Sequence, residues 1–340
     1  MLKFVGFGDL LISFEPQGYQ RFLQADTMQV NYTGAEANVC VNLAQLGVKS
    51  YFVTRVPAHD IGRCALAGLR KYNVNVDHVA IGGERLGAIY TEKGAAQRPS
   101  KVIYDRKHSA FTTSTLADYN WDEIMQGAKG FHFTGITAAL SDDMPAILQA
   151  AMDAAHRAGA LVSCDLNYRK NLWSVEKAQQ VMRKLVPSVD LLLANEEDAE
   201  KVLGIRAADT DVISGKLSRE GYIHVAEEIE KVYGIHKVGI SLRESISASD
   251  NRWSGMFYDG GKAYFSRSYD IHIVNRVGGG DSFSSGLIYS QMNGFDPQKT
   301  VDFAVAASCL KHSIEKDFNL VTLEEIENLM NGDGSGRVNR

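Results

Sequence analysis

No run of about 18 apolar residues occurs anywhere in this 340-residue chain, so a membrane-spanning helix is not expected. The basic excess that a general nucleic-acid face requires is also missing. Lys and Arg number 36 against 41 Asp and Glu, for a net charge of −5. An anionic small molecule is not excluded, because a local pair of arginines is enough to hold one. Cys40, Cys64, Cys164 and Cys309 are scattered in apolar surroundings without a C-x-x-C pair. Buried reduced thiols are therefore expected rather than disulfides or a zinc site. The nine histidines include no H-E-x-x-H and no clustered pair. The first residues enter a strand-like segment without the charged, apolar and small succession of a signal peptide, and a cytoplasmic protein is expected. A dinucleotide fingerprint is absent too. Gly6-Phe7-Gly8-Asp9 closes the first apolar segment, but Leu11 stands where a third glycine would be, and no helix follows directly.

What is present is an ordinary soluble composition, 45% apolar and 23% charged, and a regular alternation. From residue 130 the pattern predicts strands over 130–134, 160–165, 190–195 and 237–241. Helices are predicted over 143–157, 178–185, 196–203 and 225–233. Apolar strands alternating with helices specify a parallel, doubly wound sheet, whose ligands bind at the C-terminal strand ends. Polar residues gather at those ends, in Asp165-Leu166-Asn167-Tyr168-Arg169 and in Asn195-Glu196-Glu197-Asp198. Nearer the N-terminus, residues 10–33 lack a helical period, and 86–92 with 101–106 read as two strands that must pack on something. Alternation puts Tyr104 and Arg106 on one face, with Tyr90 on a neighbouring strand.

The densest signal is Val277-Gly278-Gly279-Gly280-Asp281-Ser282-Phe283. Phe283, Leu287, Ile288 and Met292 recur behind it at helical spacing, so the glycines sit where a helix begins. Unpaired N–H groups and the positive end of the dipole make an anion site there, with phosphate the expected anion. Asp281 brings a second negative group to the same place, which only a proton or a metal can mediate. A base that takes the proton of an attacking hydroxyl meets this requirement. The same residues also read as a tight turn with Asp281 as a helix cap. In the helix-like segment 33–47, Val39, Leu43 and Leu46 form an apolar face. Asn38, Asn42 and Gln45 form a polar stripe, either solvated or turned to a ligand.

The glycine–aspartate segment resembles the G-A-G-D motif of ribokinase-like (PfkB-type) carbohydrate kinases. Gly279 replaces the alanine, and Asn275-Arg276 stands where the family has Asp-Thr. The resemblance extends over about residues 2–330. It implies a three-layer α/β/α fold, a doubly wound and mainly parallel sheet with a small β-sheet lid. The lid would come from about 10–33 and 86–110 of a single domain, 1–330, followed by a disordered tail at 331–340. The resemblance makes Gly278, Gly279 and Gly280 the anion hole, Gly278 and Gly280 also nucleotide contacts, and Asp281 the catalytic base. Thr33-Gly34-Ala35-Glu36-Ala37-Asn38 resembles the family's G-G-x-x-x-N motif, which would bring Gly34 and Asn38 to the sugar. Tyr90, Tyr104 and Arg106 would lie on the lid.

Asp165-Leu166-Asn167-Tyr168-Arg169 followed by Leu172-Trp173 is similar to the D-x-N-x-R of the 2-keto-3-deoxygluconate kinases in that family, where the arginine meets the substrate carboxylate. An extended backbone would point Asn167 and Arg169 to one side; an Arg–Asp pair within the loop is the other reading. Asp317 would close over the sugar or stand as a surface loop acid. Asn195-Glu196-Glu197-Asp198 resembles the N-x-x-E motif that organises Mg²⁺ and triphosphate through water. Asp198 replaces the glutamate, Glu197 competes for the role, and both also suit a helix start. Ser241 stands where the family often has a Gly-rich nucleotide turn. The implied activity is phosphorylation of 2-keto-3-deoxygluconate to the 6-phosphate by ATP with Mg²⁺. A kinase for fructose, ribose or a nucleoside is one alternative, and a non-catalytic sugar-acid-binding protein another. The implied partners are a sugar acid and ATP, with no nucleic acid and no membrane, and a homo-oligomer through an uncovered lid edge.

Overall fold

A computed structural model gives the structure of residues 1–206 and 219–332. Residues 333–340 of the expected tail lie outside the described residues. In chain order the strands are β1 (Lys3–Phe7), β2 (Leu11–Pro16), β3 (Met28–Thr33), β4 (Lys49–Val53), β5 (Arg55–Val56), β6 (Ala80–Ile81), β7 (Gly87–Glu92) and β8 (Lys101–Asp105). They continue as β9 (Ala128–Thr134), β10 (Leu161–Asp165), β11 (Leu191–Ala194), β12 (Lys237–Ser245), β13 (Asp250–Asp259), β14 (Lys262–Phe265) and β15 (Tyr269–His272).

The main sheet runs β14-β13-β12-β11-β10-β9-β1-β4, with β15 also paired to β13. From β4 to β12 every pairing is parallel. These strands read as near-continuous apolar runs because both of their faces are covered. In β11, Leu192 and Ala194 enter a core with the helices Met144–Arg157, Val175–Leu185 and Arg219–Tyr233. Leu191 and Leu193 enter a second core, with the helices Ala35–Gln45, Gly279–Met292 and Pro297–Lys311. The period of two thus distributes a single strand between the two helical layers.

Several boundaries move from the expected ones. The strand expected over 237–241 runs on to Ser245, because its far end pairs antiparallel with β13 from Lys237↔Asp259 to Ser245↔Asn251. That antiparallel edge, with β14 and β15, was not expected, nor was the helix Leu323–Met330. The helix expected over 196–203 is one short turn, Glu196–Asp198, followed by a wider π-type turn at Ala199–Leu203. Among the described residues, no helix is long and apolar enough to cross a membrane.

The smaller sheet has the order β3-β2-β7-β8. β7 and β8 are antiparallel, with Ile89 opposite Tyr104 and Tyr90 opposite Ile103. Residues paired across strands share a face, so Tyr90 projects from the face opposite to Tyr104 and Arg106. Its ring stacks on Phe14 at 5.2 Å, on that other face. Tyr90 thus lies on the strand beside that of Tyr104, as expected, with its ring on the other face. β8 is the outer strand of this sheet and is exposed along its length.

Candidate active site

The chain leaves β1 toward β4 on one side and returns to β9 on the other, so the strand order reverses at the β1/β9 boundary. Side chains from the ends of both strands, and from three more segments, converge at this switch point. Asp9 follows β1, and Thr134 ends β9. The helix Ala35–Gln45 sends Glu36 between them. Its carboxylate accepts from the Thr134 amide at 3.0 Å and from the Thr134 and Thr137 hydroxyls at 2.7 Å each. Glu36 is therefore a satisfied, buried brace.

The helix Gly279–Met292 opens on the glycine turn. Gly278 has φ 85°, a left-handed conformation that favours glycine. A Cβ there would lie 2.1 Å from the Asp317 carbonyl oxygen. The N–H groups of the helix's first turn have no partner in its own ladder, and Gly280 is exposed with open space beside it. Asp281 follows in the same turn. Asn38 Nδ2 donates to Asp281 Oδ2 at 2.6 Å, and the Thr33 hydroxyl donates to Asn38 Oδ1 at 3.2 Å. One turn on, Asn42 Nδ2 donates to the Ser282 and Ser285 hydroxyls at 3.1 and 3.2 Å, and its Oδ1 accepts from the Asn319 amide at 3.0 Å. The asparagine stripe is thus the seam between two helices, not a solvated face. It fixes the aspartate's position over the turn.

Withdrawal from solvent pushes the Asp281 carboxyl up to about 7. The Asn38 hydrogen bond and Arg169 pull it down, and the charges of Glu36 and Asp317 add to the rise. A carboxyl with that value suits proton transfer near neutral pH. Asp9, a residue the sequence motifs do not single out, is buried and raised to about 6 by burial, with Arg106 pulling it down. Arg106 Nη1 lies 3.9 Å from Asp9 Oδ2, and its guanidinium stands 4.4 Å from the Tyr104 ring. Among the described residues, neither Asp9 oxygen has a hydrogen-bond partner, and neither do Arg106 Nε, Asn167 Oδ1 and Asp317 Oδ1. Buried polar atoms are almost always paired. These unpaired atoms on Asp9, Arg106, Asn167 and Asp317 are ones that a ligand's hydroxyls would satisfy.

The loop after β10 departs from expectation. Asn167 adopts φ 39°, and its amide donates to Asp165 Oδ1 at 3.1 Å. The backbone therefore turns instead of staying extended. Asn167 is buried, whereas Arg169 is exposed, with Nη1 donating to the Tyr168 carbonyl at 3.1 Å. The charge of Arg169 still reaches both Asp165 and Asp281. Asp317 is buried and held above the usual carboxylate range by burial, against hydrogen bonding from Thr33 and the charge of Lys311. Gly34 caps the helix Ala35–Gln45 in extended backbone, where a Cβ would meet the Asp9 carbonyl oxygen at 2.2 Å.

On the nucleotide side, Asn195 Oδ1 accepts from the Asp198 amide at 2.8 Å, and Asp198 Oδ1 accepts from the Tyr168 amide at 3.0 Å. Asp198 is buried and Glu197 is exposed. No group of three His, Cys, Asp or Glu among the described residues is arranged to hold a metal directly. Ser241 lies on β12 opposite Gly255, half-buried. Arg276, just before the turn, was not anticipated by the sequence reading. It is half-buried, its value is lowered by burial and by the charge of Arg243, and neither arginine forms an ion pair with a described residue. Its replacement of the family's Thr was the signal that could have found it.

The sequence matches the family model for pfkB family carbohydrate kinases over residues 1–313. The crystal structure of 2-dehydro-3-deoxygluconokinase from Thermotoga maritima is 49% identical, with a TM-score of 0.94 over 98% of this chain and 100% of that one. A PfkB family carbohydrate kinase from Listeria grayi is 34% identical, with a TM-score of 0.90 over 97% of this chain and 99% of the other. The 2-dehydro-3-deoxygalactonokinase of Haloferax volcanii is 28% identical over 334 residues, 98% of each chain. A helix-capping triglycine turn, a strand-end cleft at the switch point and a covering small sheet thus occur together in a chain that belongs to the pfkB family of carbohydrate kinases.

Proposed function

We propose that this kinase phosphorylates 2-keto-3-deoxygluconate (2-dehydro-3-deoxygluconate), giving the 6-phosphate at the expense of ATP. The Thermotoga and Haloferax relatives carry the names of kinases for deoxy sugar acids. The observation that carries the substrate class is Arg106: a buried guanidinium beside Asp9 keeps an unpaired Nε, a charged donor that suits a substrate carboxylate better than a neutral hydroxyl.

In this reading Arg106 and the exposed Arg169 receive the substrate carboxylate. Asp9, Asn167, Asp317 and the backbone near Gly34 take its hydroxyls, and Tyr104 closes from the lid. The far hydroxyl meets Asp281, which Asn38 holds over the glycine turn. Asp281 accepts the proton as that oxygen attacks. The N–H of Gly280 receives the developing phosphoryl charge, aided by the helix dipole, while that of Gly279 donates to the Arg276 carbonyl at 3.4 Å. Asn195, Asp198, Ser241 and the glycine turn are the residues that would hold ATP and its Mg²⁺, which when bound would supply the phosphoryl group and offset its charge.

An ATP-consumption assay across a sugar panel tests the substrate class. The sugar acid is expected to give the highest kcat/KM, and Arg169→Ala is expected to raise its KM about tenfold. That figure is smaller than for a buried arginine, because an exposed guanidinium is already hydrated. A wild-type preference for fructose, ribose or a nucleoside would reject the sugar acid and leave the kinase standing. A separate titration addresses the metal side. Asp198→Ala is expected to increase the Mg²⁺ needed for half-maximal rate severalfold, with the sugar KM little changed. An unaltered Mg²⁺ curve would remove Asp198 from that role and point to Glu197.

A further inference from the structure

Lys311 ends the helix Pro297–Lys311 with no exposed surface. Its ammonium donates to one carbonyl, that of Ile314, at 3.2 Å. The side chain passes directly behind the anion turn, with Cε 3.2 Å from the point a Cβ on Gly278 would occupy. A solvent-free ammonium with a single neutral acceptor is costly unless opposite charge surrounds it. The charges around it are Asp317 first, then Asp281 and Glu315, against Lys93 of the lid. Glu315 is itself paired with Lys93. Neighbouring His312, which bonds the Ser308 carbonyl, is lowered to about 4 by burial and so stays neutral.

The acids on the other side have the converse difficulty. Burial raises Asp281 and Asp317, and the charge of Asp317 raises Asp281 further. Glu36 adds to the rise at Asp281, while Arg169 opposes it. Glu15 of β2 faces Asp317 from the lid, with Lys93 and Lys316 close by. A crowd of buried carboxyls takes up protons unless a fixed cation stands among them, and a protonated Asp281 accepts nothing from a hydroxyl.

We propose that Lys311 is a positioning residue for phosphoryl transfer: a solvent-excluded cation behind the glycine turn whose charge favours the ionised forms of Asp317 and Asp281. It touches neither substrate. The inference rests on the reading of Asp281 as the base. Burial lowers Lys311 only to about 8, so it remains charged at neutral pH. The competing role is structural, a donor that ties the helix end to the Ile314 carbonyl. Glutamine keeps a donor there and discards the charge.

The decisive measurement is the pH dependence of kcat/KM for the sugar acid in the wild type, Lys311→Gln, Lys311→Arg and Asp281→Asn. In Lys311→Gln the acid limb is expected to move up by about one pH unit. The deficit would then be about tenfold near pH 6 and would shrink toward pH 9. Lys311→Arg is expected to leave the limb at the wild-type position, whatever its absolute rate. A folded Lys311→Gln whose acid limb coincides with the wild type overturns the proposal, provided Asp281→Asn has lost the activity. An Asp281→Asn enzyme with wild-type turnover overturns the base reading and this inference with it. Should Lys311→Gln not fold, NMR of the wild-type Lys311 ε-carbon decides. A charged ammonium at pH 7 is expected, and a neutral amine there overturns the proposal.

Discussion

Asp281→Asn is expected to lower kcat by about 10²–10⁴-fold, the usual worth of a general base, while the KM values for sugar and ATP change little. The asparagine is isosteric, and its carbonyl oxygen can still accept from Asn38 Nδ2, so the turn keeps its shape. The wild type is expected to show an acid limb near pH 7, where the raised carboxyl gains its proton, and the variant's residual rate to lack it. Thermal melting supplies the control. Because the folded state holds this proton up to about pH 7 and the unfolded state only to the ordinary carboxylate range, the site's contribution to stability falls as pH rises through that window. At pH 8 the wild type carries an uncomfortable charge that asparagine does not, so the variant should melt no lower than the wild type. A variant that melts normally and turns over normally would leave Asp281 only as the acceptor of the Asn38 bond across the helix seam.

Arg106→Ala should be the most damaging change on the sugar side. It removes the counter-charge of a buried Asp9 and the fork proposed above to receive the substrate carboxylate. Loss of a buried charge-assisted contact costs about 2–5 kcal/mol, so the KM for the sugar acid should rise about 30-fold or more. The KM for ATP should stay near its starting value, because Arg106 is on the lid side of the cleft. Arg106→Lys should recover little, since an ammonium offers a point charge in place of two parallel donors and loses the stacking on Tyr104. Equal sugar KM values in wild type and alanine variant would place the carboxylate elsewhere in the cleft.

The alternation after residue 130 was legible because buried parallel strands are apolar on both faces and their helices are amphipathic. The glycine turn was legible because three glycines before an apolar period have few other uses. What escaped the sequence depended on register, local hydrogen bonding and burial. Tyr90 and Tyr104 are separated by a loop whose length does not set the pairing parity, and a one-residue difference decides which face each takes. Asn167 turns left-handed because the Asp165 carboxylate captures its amide, a bond invisible in the residue order although asparagine tolerates that conformation. The asparagines at 38 and 42 stay ambiguous in the sequence, solvated or turned to a ligand, because their partners, Asp281 and Ser282, lie some 240 residues away in sequence. Lys311 offered no signal at all, since a lysine at a helix end is normally solvated.

Gly34 and Gly278 make the same kind of contact in two places, one bare backbone resting on the carbonyl of a residue whose carboxyl faces the cleft. The two acids, Asp9 and Asp317, are thereby set at a backbone-to-backbone spacing that no side chain can share. Anyone who wishes to redirect this kinase to a different sugar inherits that arrangement as a fixed frame. Under the proposed reading, freedom to vary recognition lies at Tyr104, Arg106 and Arg169. Positions 34 and 278 offer none, because a single added methyl would push apart the walls that any new substrate must also use.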